Sequence, residues 1–437
     1  MRFERMLERL RSTAATGQDA ARTVAGIIED VRHRGDEAVV ECMRRWSDPT
    51  FDADRIRVDK AQIESAAGRI DGDLRRAIEA SIAHVRDYQQ HIMPAAVPPI
   101  DIDGAEMSLR FSPVQSVALN VPGGAAVLFS TLIMLAVPAL VAGVDPQAIA
   151  VLHPPPTGSD GRDDDISPVV LATCAMLGID RVYRIGGAQA VAAAAFGTQR
   201  VDPVQMVAGP GNIYVQLAKA QLQGVVGTDG GFYGPSEILA IVDEQADPSW
   251  VAADLIAQAE HDPGKCFLVA WSRQVAEQVT REVEQQVKGR RRRDAIMSAL
   301  SSESCAVLVT GAQEAVEVAN RIACEHVHLA VADARPFLKD IRHAGAIFIG
   351  AQTPVAAGDY YAGPSHCLPT GTTARFTSGI SVYTFLNRTG TVSYTTGMSV
   401  ATASDIALLA ETEGLDGHAD SVRRRGKGTG NEERSNE

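Results

Sequence analysis

The chain has 437 residues, 45% of them hydrophobic and 22% charged, which places it among globular proteins long enough for two or more domains. A net charge of −13 excludes a general affinity for nucleic acid or for anionic membranes, because both demand a basic surface. Six cysteines are scattered without C-x-x-C spacing, so no disulfide framework or zinc finger is expected, and free thiols point to the cytoplasm.

The opening stretch, "MRFERMLERLRSTAATGQ", carries charges throughout and lacks the apolar core of a signal peptide. Residues 1–25 are expected to form a helical segment. Amphipathic patterns such as "ARTVAGIIEDVRHRG" and "DLRRAIEASIAHVRDYQQHI" predict further helices, with Gly35 ending one of them. From Pro113 the pattern changes to short apolar runs, each followed by a glycine turn and a helix, the alternation that builds parallel α/β layers. The stretch Ala125–Val144 contains Ser130, Thr131 and Pro138 and is expected to be a buried helix, not a membrane span. After a glycine-rich break, "VVGTDGGFYGPSE", the runs "EILAIVDE", "KCFLVAWS", "CAVLVTG", "HVHLAV" and "AGAIFIGA" continue the strands. The basic run "KGRRRR" reads as the solvated end of a helix.

The fold expectation is therefore α/β, with two Rossmann-like lobes after the helical segment. Residues 26–119 with about 237–318 are assigned to a first lobe. Residues 120–236 with about 319–380 are assigned to a second, nucleotide-binding lobe. A C-terminal extension spans 381–420, with one final helix, and a charged tail at 421–437 is expected to be disordered.

Three glycine turns follow strands: "VPGGAA", "IGGAQA" and "GPGNIY". Each alone more often makes only a turn, and the last lacks the full dinucleotide fingerprint because Tyr214 stands at its end. Three in succession argue for a nucleotide cleft. In "IAQAEHDPG", Asp247 can cap and Pro248 can start a helix whose C-terminal end carries Gln258 and His261 three residues apart, on one face. An amide oxygen and an imidazole there suit a metal, although a histidine meeting the helix dipole is the blander alternative. "AAGDYYAGPSHCLPTG" presents Asp359 and His366 from a loop. "ETEGLDGHADS" places Glu411, Glu413, Asp416 and His418 in a final helix that Gly414 and Gly417 weaken. Gln258, His261, Asp359 and His418 could together hold one zinc ion, whose tetrahedral site accepts nitrogen and oxygen ligands. "ACEHVHL" permits a metal clip, a proton-handling pair or a plain buried strand. An adjacent Glu325 and His326 at a strand's start most naturally supply a water activator and a base.

Taken in order, "VPGG", "STLIMLAVPALVAG", "GGAQAVAAAAFGT", "AGPGNIYV", "GPSEILAIVDE", "AQAEHDP", "EHVHL", "GDYYAGPSHCLPTG" and "EGLDGH" resemble the histidinol dehydrogenase family from the first helices to about His418. The resemblance implies a zinc-dependent, NAD-linked homodimer that oxidises L-histidinol through the aldehyde to L-histidine by two hydride transfers. Matched motif by motif, it implies zinc ligands at Gln258, His261, Asp359 and His418. Substrate contacts fall on Ser236, His366 and Glu413, with Asp359 and His418 beside them. Glu325 is implied as the water activator and His326 as the proton-accepting base. Cofactor contacts fall on Gln189, Asn212 and Asn120. The C-terminal extension is implied to cross to the partner subunit, where Glu413 and His418 complete its site.

This chain departs from the family's pattern at Asn120, usually Tyr; at Cys324, usually Pro; and at His328, usually Glu or similar. It also carries "TDGGFYGPSE" in place of the commoner Asp-Met-x-Ala-Gly-Pro-Ser-Glu form. Another small primary alcohol as substrate stays open on that ground. A zinc hydrolase using Glu325 and a silent binding module are the alternatives from other classes.

Overall fold

A computed structural model describes residues 2–14, 18–123, 127–155, 166–261, 264–394 and 397–426. Helices Arg2–Ala14, Gln18–Arg34, Asp36–Trp46 and Gly72–His91 occupy the N-terminal part, as the amphipathic patterns predict. Gly35, at φ 59°, turns the second of these directly into the third, and a Cβ there would lie 2.4 Å from the Gln199 side chain. Only glycine meets both conditions.

Two strands follow, β1 (Ile100–Ile102) and β2 (Ala105–Pro113), paired antiparallel. Then β3 (Val117–Asn120), β4 (Ile149–Leu152), β5 (Arg181–Tyr183), β6 (Met206–Ala208) and β7 (Gly227–Thr228) form a parallel sheet in the order β5-β4-β3-β6-β7. Every residue of β3, β4 and β6 is buried, which is why these strands read as unbroken apolar runs: crossover helices cover the sheet's faces. One of those helices, Phe129–Ala142, is buried along nearly its whole length, including Ser130, Thr131 and Pro138.

The second sheet has β8 (Glu237–Val242), β9 (Lys265–Ala270), β10 (Cys305–Leu308), β11 (His326–Ala330) and β12 (Ala346–Ile349), in the order β10-β9-β8-β11-β12. The two sheets share one winding. Each begins at its centre, runs to one edge and then crosses over, so the strand order reverses between β3 and β6 and between β8 and β11.

This topology corrects the expected lobes. Residues 326–349 pair with 237–308, not with 120–236, and 117–120 joins the sheet that follows it. The cause is β11, which is buried along its whole length and slots between β8 and β12, where both neighbours satisfy its backbone.

Strand β13 (Leu386–Ser393) pairs antiparallel with β2, from Leu386 opposite Pro113 to Ser393 opposite Glu106. Residues 94–113 and 386–437 accordingly make one compact unit, and 1–93 with 114–385 the other. In the smaller unit the expected single final helix is two, Val400–Thr412 and Asp416–Gly426. Gly414, at φ 78°, breaks them apart, and Ala407, Ala410 and Ala419 pack between them. Residues 421–426, expected to be disordered, belong to the second of these helices; 427–437 lie outside the described residues. Among the described residues no helix is long and apolar enough to cross a membrane.

Candidate active site

The site is built at the amino edge of the second sheet. Helix Pro248–Ala259 follows β8 and must run back along it, so its C-terminal end arrives beside the strands' starts. Asp247 caps this helix by accepting the Ser249 N–H at 2.8 Å, and Pro248 opens it, as expected. Gln258 is buried on the last turn with its amide nitrogen unpartnered, and His261 stands exposed in the turn beyond.

Strand β11 starts at His326, so Glu325 precedes it and the alternation of side chains across the sheet does not bind Glu325. The Glu325 carboxylate, 4% exposed as a residue, turns back to accept the Glu237 N–H at 2.7 Å through Oε2, which lies 3.5 Å from His326 Nδ1. His326 Nδ1–H donates to the Glu237 carbonyl at 3.1 Å, and its Nε2, with no hydrogen-bond partner, lies 4.0 Å from Asp359 Oδ1. Burial disfavours the imidazolium, but the Glu325 carboxylate, then Asp359 and the Glu237 carbonyl, outweigh it and raise the ring to about 9.

Asp359 belongs to a short helix, Ala356–Tyr360, within a stretch expected as loop. Its carbonyl accepts from His366 Nδ1 at 2.9 Å, and His366 Nε2 meets Thr131 Oγ1 at 3.0 Å. Nδ1 donates to that carbonyl, and in the neutral ring Nε2 accepts the Thr131 hydroxyl. Burial lowers its pKa against the Asp359 and Glu325 carboxylates, while His261 adds to the lowering. That electrostatic reach places Glu325, Asp359, His261 and His366 in one neighbourhood. Ser236 immediately precedes β8 and is half-buried.

Behind the Glu-His pair lies a second layer that the sequence patterns did not single out. Glu237 and Lys265, opposite each other at the starts of β8 and β9, form a buried ion pair at 3.4 Å. Burial pushes the Glu237 carboxyl up to about 7, against the attraction of Lys265 and the Gly371 N–H. The local signal was a single charge at the head of an otherwise apolar run.

The glycine turns gather at the carboxyl edge of the first sheet. A Cβ at Gly123 would meet the Pro154 carbonyl at 2.5 Å, one at Gly186 would meet the Pro154 ring at 2.7 Å, and one at Gly209 would meet the Asn120 carbonyl at 2.5 Å. Asn120 is buried and donates to the Pro210 carbonyl, so it ties β3 to the "GPGN" turn across the point where strand order reverses. Asn212 caps the helix Ile213–Gln221 by accepting from Tyr214 and Val215, and Gln189 is buried near the start of Gly187–Phe196. Lys219 Nζ donates to the Gly209 carbonyl at 2.9 Å and to Asp229 at 2.8 Å, and Asp229 accepts the Gly209 N–H at 2.6 Å.

The donors Gln258, His261 and Asp359 fit zinc by type: an amide oxygen, an imidazole nitrogen and a carboxylate. Among the described residues no three His, Cys, Asp or Glu side chains gather as ligands, and this set draws only His261 and Asp359 of those types from its unit. Glu413 and His418 belong to the smaller unit, both exposed.

Twin parallel sheets, glycine turns at the strand-order reversal of one and a buried carboxylate–imidazole pair at the edge of the other define an α/β enzyme of the dehydrogenase class. The family model described as histidinol dehydrogenase matches residues 10–426. The chain is 40% identical over 424 residues to a histidinol dehydrogenase of Synechococcus sp., covering 97% of this chain and 95% of that one. It is 42% identical over 409 residues to that of Cereibacter sphaeroides, covering 93% and 92%. The crystal structure of histidinol dehydrogenase from Elizabethkingia anophelis matches with a TM-score of 0.85 at 29% identity, covering 94% of this chain and 93% of that one. The chain belongs to the histidinol dehydrogenase family.

Proposed function

We propose that the chain is a zinc-dependent, NAD-linked dehydrogenase that oxidises L-histidinol through the aldehyde to L-histidine, the last step of histidine biosynthesis. One observation carries the reading: a buried Glu325–His326 pair facing Asp359 and His366, in a chain 40% identical to relatives named histidinol dehydrogenase.

Gln258, His261 and Asp359, with His418 of the partner subunit in a homodimer, would hold the zinc, and Asn120, Gln189 and Asn212 would line the dinucleotide crevice. Bound NAD supplies the hydride acceptor and bound zinc an anchor for a chelating amino alcohol. Ser236, His366 and Glu413 orient the substrate, the last again from the partner. In its neutral form, reached as pH rises toward 9, His326 Nε2, unpartnered beside Asp359, takes the alcohol proton as the carbinol carbon gives up hydride. Glu325 then removes a proton from the water that adds to the aldehyde. His326, once it has released the first proton to solvent, takes the hydrate's proton in the second oxidation.

The deciding experiment supplies purified, zinc-loaded protein and NAD with a panel of amino, hydroxyl and sulfonated primary alcohols and follows NADH absorbance. Histidinol saturating at the lowest concentration, with two NADH formed per molecule, is the expected result. Another alcohol saturating lower would move the substrate and keep the dehydrogenase; no NADH with any of them would sink the reading.

A further inference from the structure

His328 and Asp254 have no part in that scheme, yet both are buried. His328 Nε2–H donates to the Gly350 carbonyl at 3.2 Å, and Nδ1 lies 3.1 Å from Asp254 Oδ2, an ion-pair distance short of linear hydrogen-bond alignment. The other Asp254 oxygen accepts the Val355 N–H at 3.3 Å. A single carboxylate thus ties together β11, the helix Pro248–Ala259 and the entry to the helix Ala356–Tyr360.

Each of these elements carries one residue of the proposed site within one turn or one strand repeat of the contact. His326 precedes His328 by two residues in a strand. Gln258 follows Asp254 by four in a helix, and Asp359 follows Val355 by four. A rigid-body shift of any of the three elements would therefore move a site residue with it. A buried carboxylate held by polar contacts contributes little stability compared with apolar packing of the same volume, and its best-attested use is to fix register.

We propose that Asp254 and His328 form a positioning pair that sets the register of Gln258 and Asp359 against His326 and thereby sets the affinity for zinc. The proposal rests on the zinc reading above. Neither residue touches the reacting atoms.

The test uses the full-length protein, zinc retention against a graded chelator, and the visible spectrum of the cobalt-substituted form, alongside thermal unfolding and steady-state kinetics. His328→Leu removes both ring contacts. His328→Asn returns a donor near the position of Nδ1, and Asp254→Asn keeps the acceptor for Val355 while removing the charge. Direct partners of metal ligands are worth about 10- to 100-fold in affinity, and this pair acts one step further out through element register, so His328→Leu and Asp254→Asn should lose zinc at about 10-fold lower chelator and show an altered cobalt spectrum. His328→Asn should recover most of the retention, and KM for NAD should stay at the wild-type value in all three.

Wild-type zinc retention and cobalt spectrum in a folded His328→Leu would overturn the proposal, whatever its melting temperature. Should that variant not fold, Asp254→Asn decides: retention equal to wild type overturns the pair, and weakened retention supports it. Wild-type protein that holds no zinc at all would bring down the zinc reading and the pair with it. A zinc-loaded wild type with indifferent variants would bring down the pair alone.

Discussion

Glu325 Oε2 accepts the backbone N–H of Glu237 at 2.7 Å, so the proposed water activator is clamped to the first residue of the neighbouring strand. His326 donates to the carbonyl of that same residue at 3.1 Å. One peptide segment at the start of β8 orients both partners. Divided roles for such a rigid pair should separate in kinetics. Glu325→Gln keeps the acceptor for Glu237 and should spare the oxidation of histidinol to the aldehyde while slowing that of aldehyde to acid. His326→Asn should slow both, by about 10²- to 10⁴-fold in kcat, the usual contribution of a general base. Single-turnover NADH formation from each substrate checks this; equal, small effects on both steps would refute the assignment.

The same pair makes a pH prediction for the metal-free chain. His326 is raised from its ordinary value to about 9, with Glu325 the leading cause on the raising side. A raised pKa means the folded state holds the proton more tightly than the unfolded state. The resulting stability is fully present below pH 6.5 and is lost as pH climbs toward 9. Urea unfolding of metal-free wild type and His326→Asn at pH 6, 7.5 and 9 should show a gap that narrows with rising pH. A gap that widens would contradict the surroundings assigned to the ring.

Lys219 and Asp229 hold the "GPGN" turn from beneath, both nearly inaccessible to water. Lys219→Met leaves a buried carboxylate without its cation and should cost about 3–5 kcal/mol, read by denaturant unfolding. Replacing both, with Lys219→Met and Asp229→Leu, should restore much of that stability. The Gly209 carbonyl and N–H nevertheless lose their partners, so KM for NAD should stay high in the double variant while kcat at saturating NAD changes little. A wild-type KM in the double variant would separate this turn from cofactor binding.

How much of this was legible depended on whether the signal was local. The N-terminal helices, the buried Phe129–Ala142 helix and the Asp247 cap follow from periodicity and capping chemistry within one element, and the structure has them. The Glu325–His326 pair was legible because adjacency in sequence guarantees proximity. Strand partnership was not: β8 and β11 are separated by two whole strand–helix units, and an all-apolar strand pairs equally well with several neighbours. Glu237, Lys265, Lys219, Asp229 and Asp254 were missed for the same reason. A charge in an apolar run shows its function only once the tertiary partner is known. Gly414 carried a warning of helix weakness and proved to be a full break, since its positive φ ends one helix before the next begins.

The proposed division of the site between subunits gives the sharpest test of the proposed assembly. Glu413 and His418 lie exposed in the smaller unit, which is built from residues 94–113 and 386–437, whereas Gln258 and Asp359 belong to the larger one. If the extension serves the partner, Gln258→Ala and His418→Ala homodimers should each be inactive, each lacking a ligand in both sites. In a mixed dimer the Gln258→Ala protomer donates an intact His418 to a site whose Gln258 is also intact, and both defects fall together in the other site. Unfolding and refolding an equimolar mixture gives a mixed dimer in half the population with one good site of two, so activity should return to about a quarter of wild type. Donation within a protomer instead puts one defect in every site, and the mixture should stay as inactive as its parents. Activity of the refolded mixture, against each variant refolded alone, distinguishes the two arrangements.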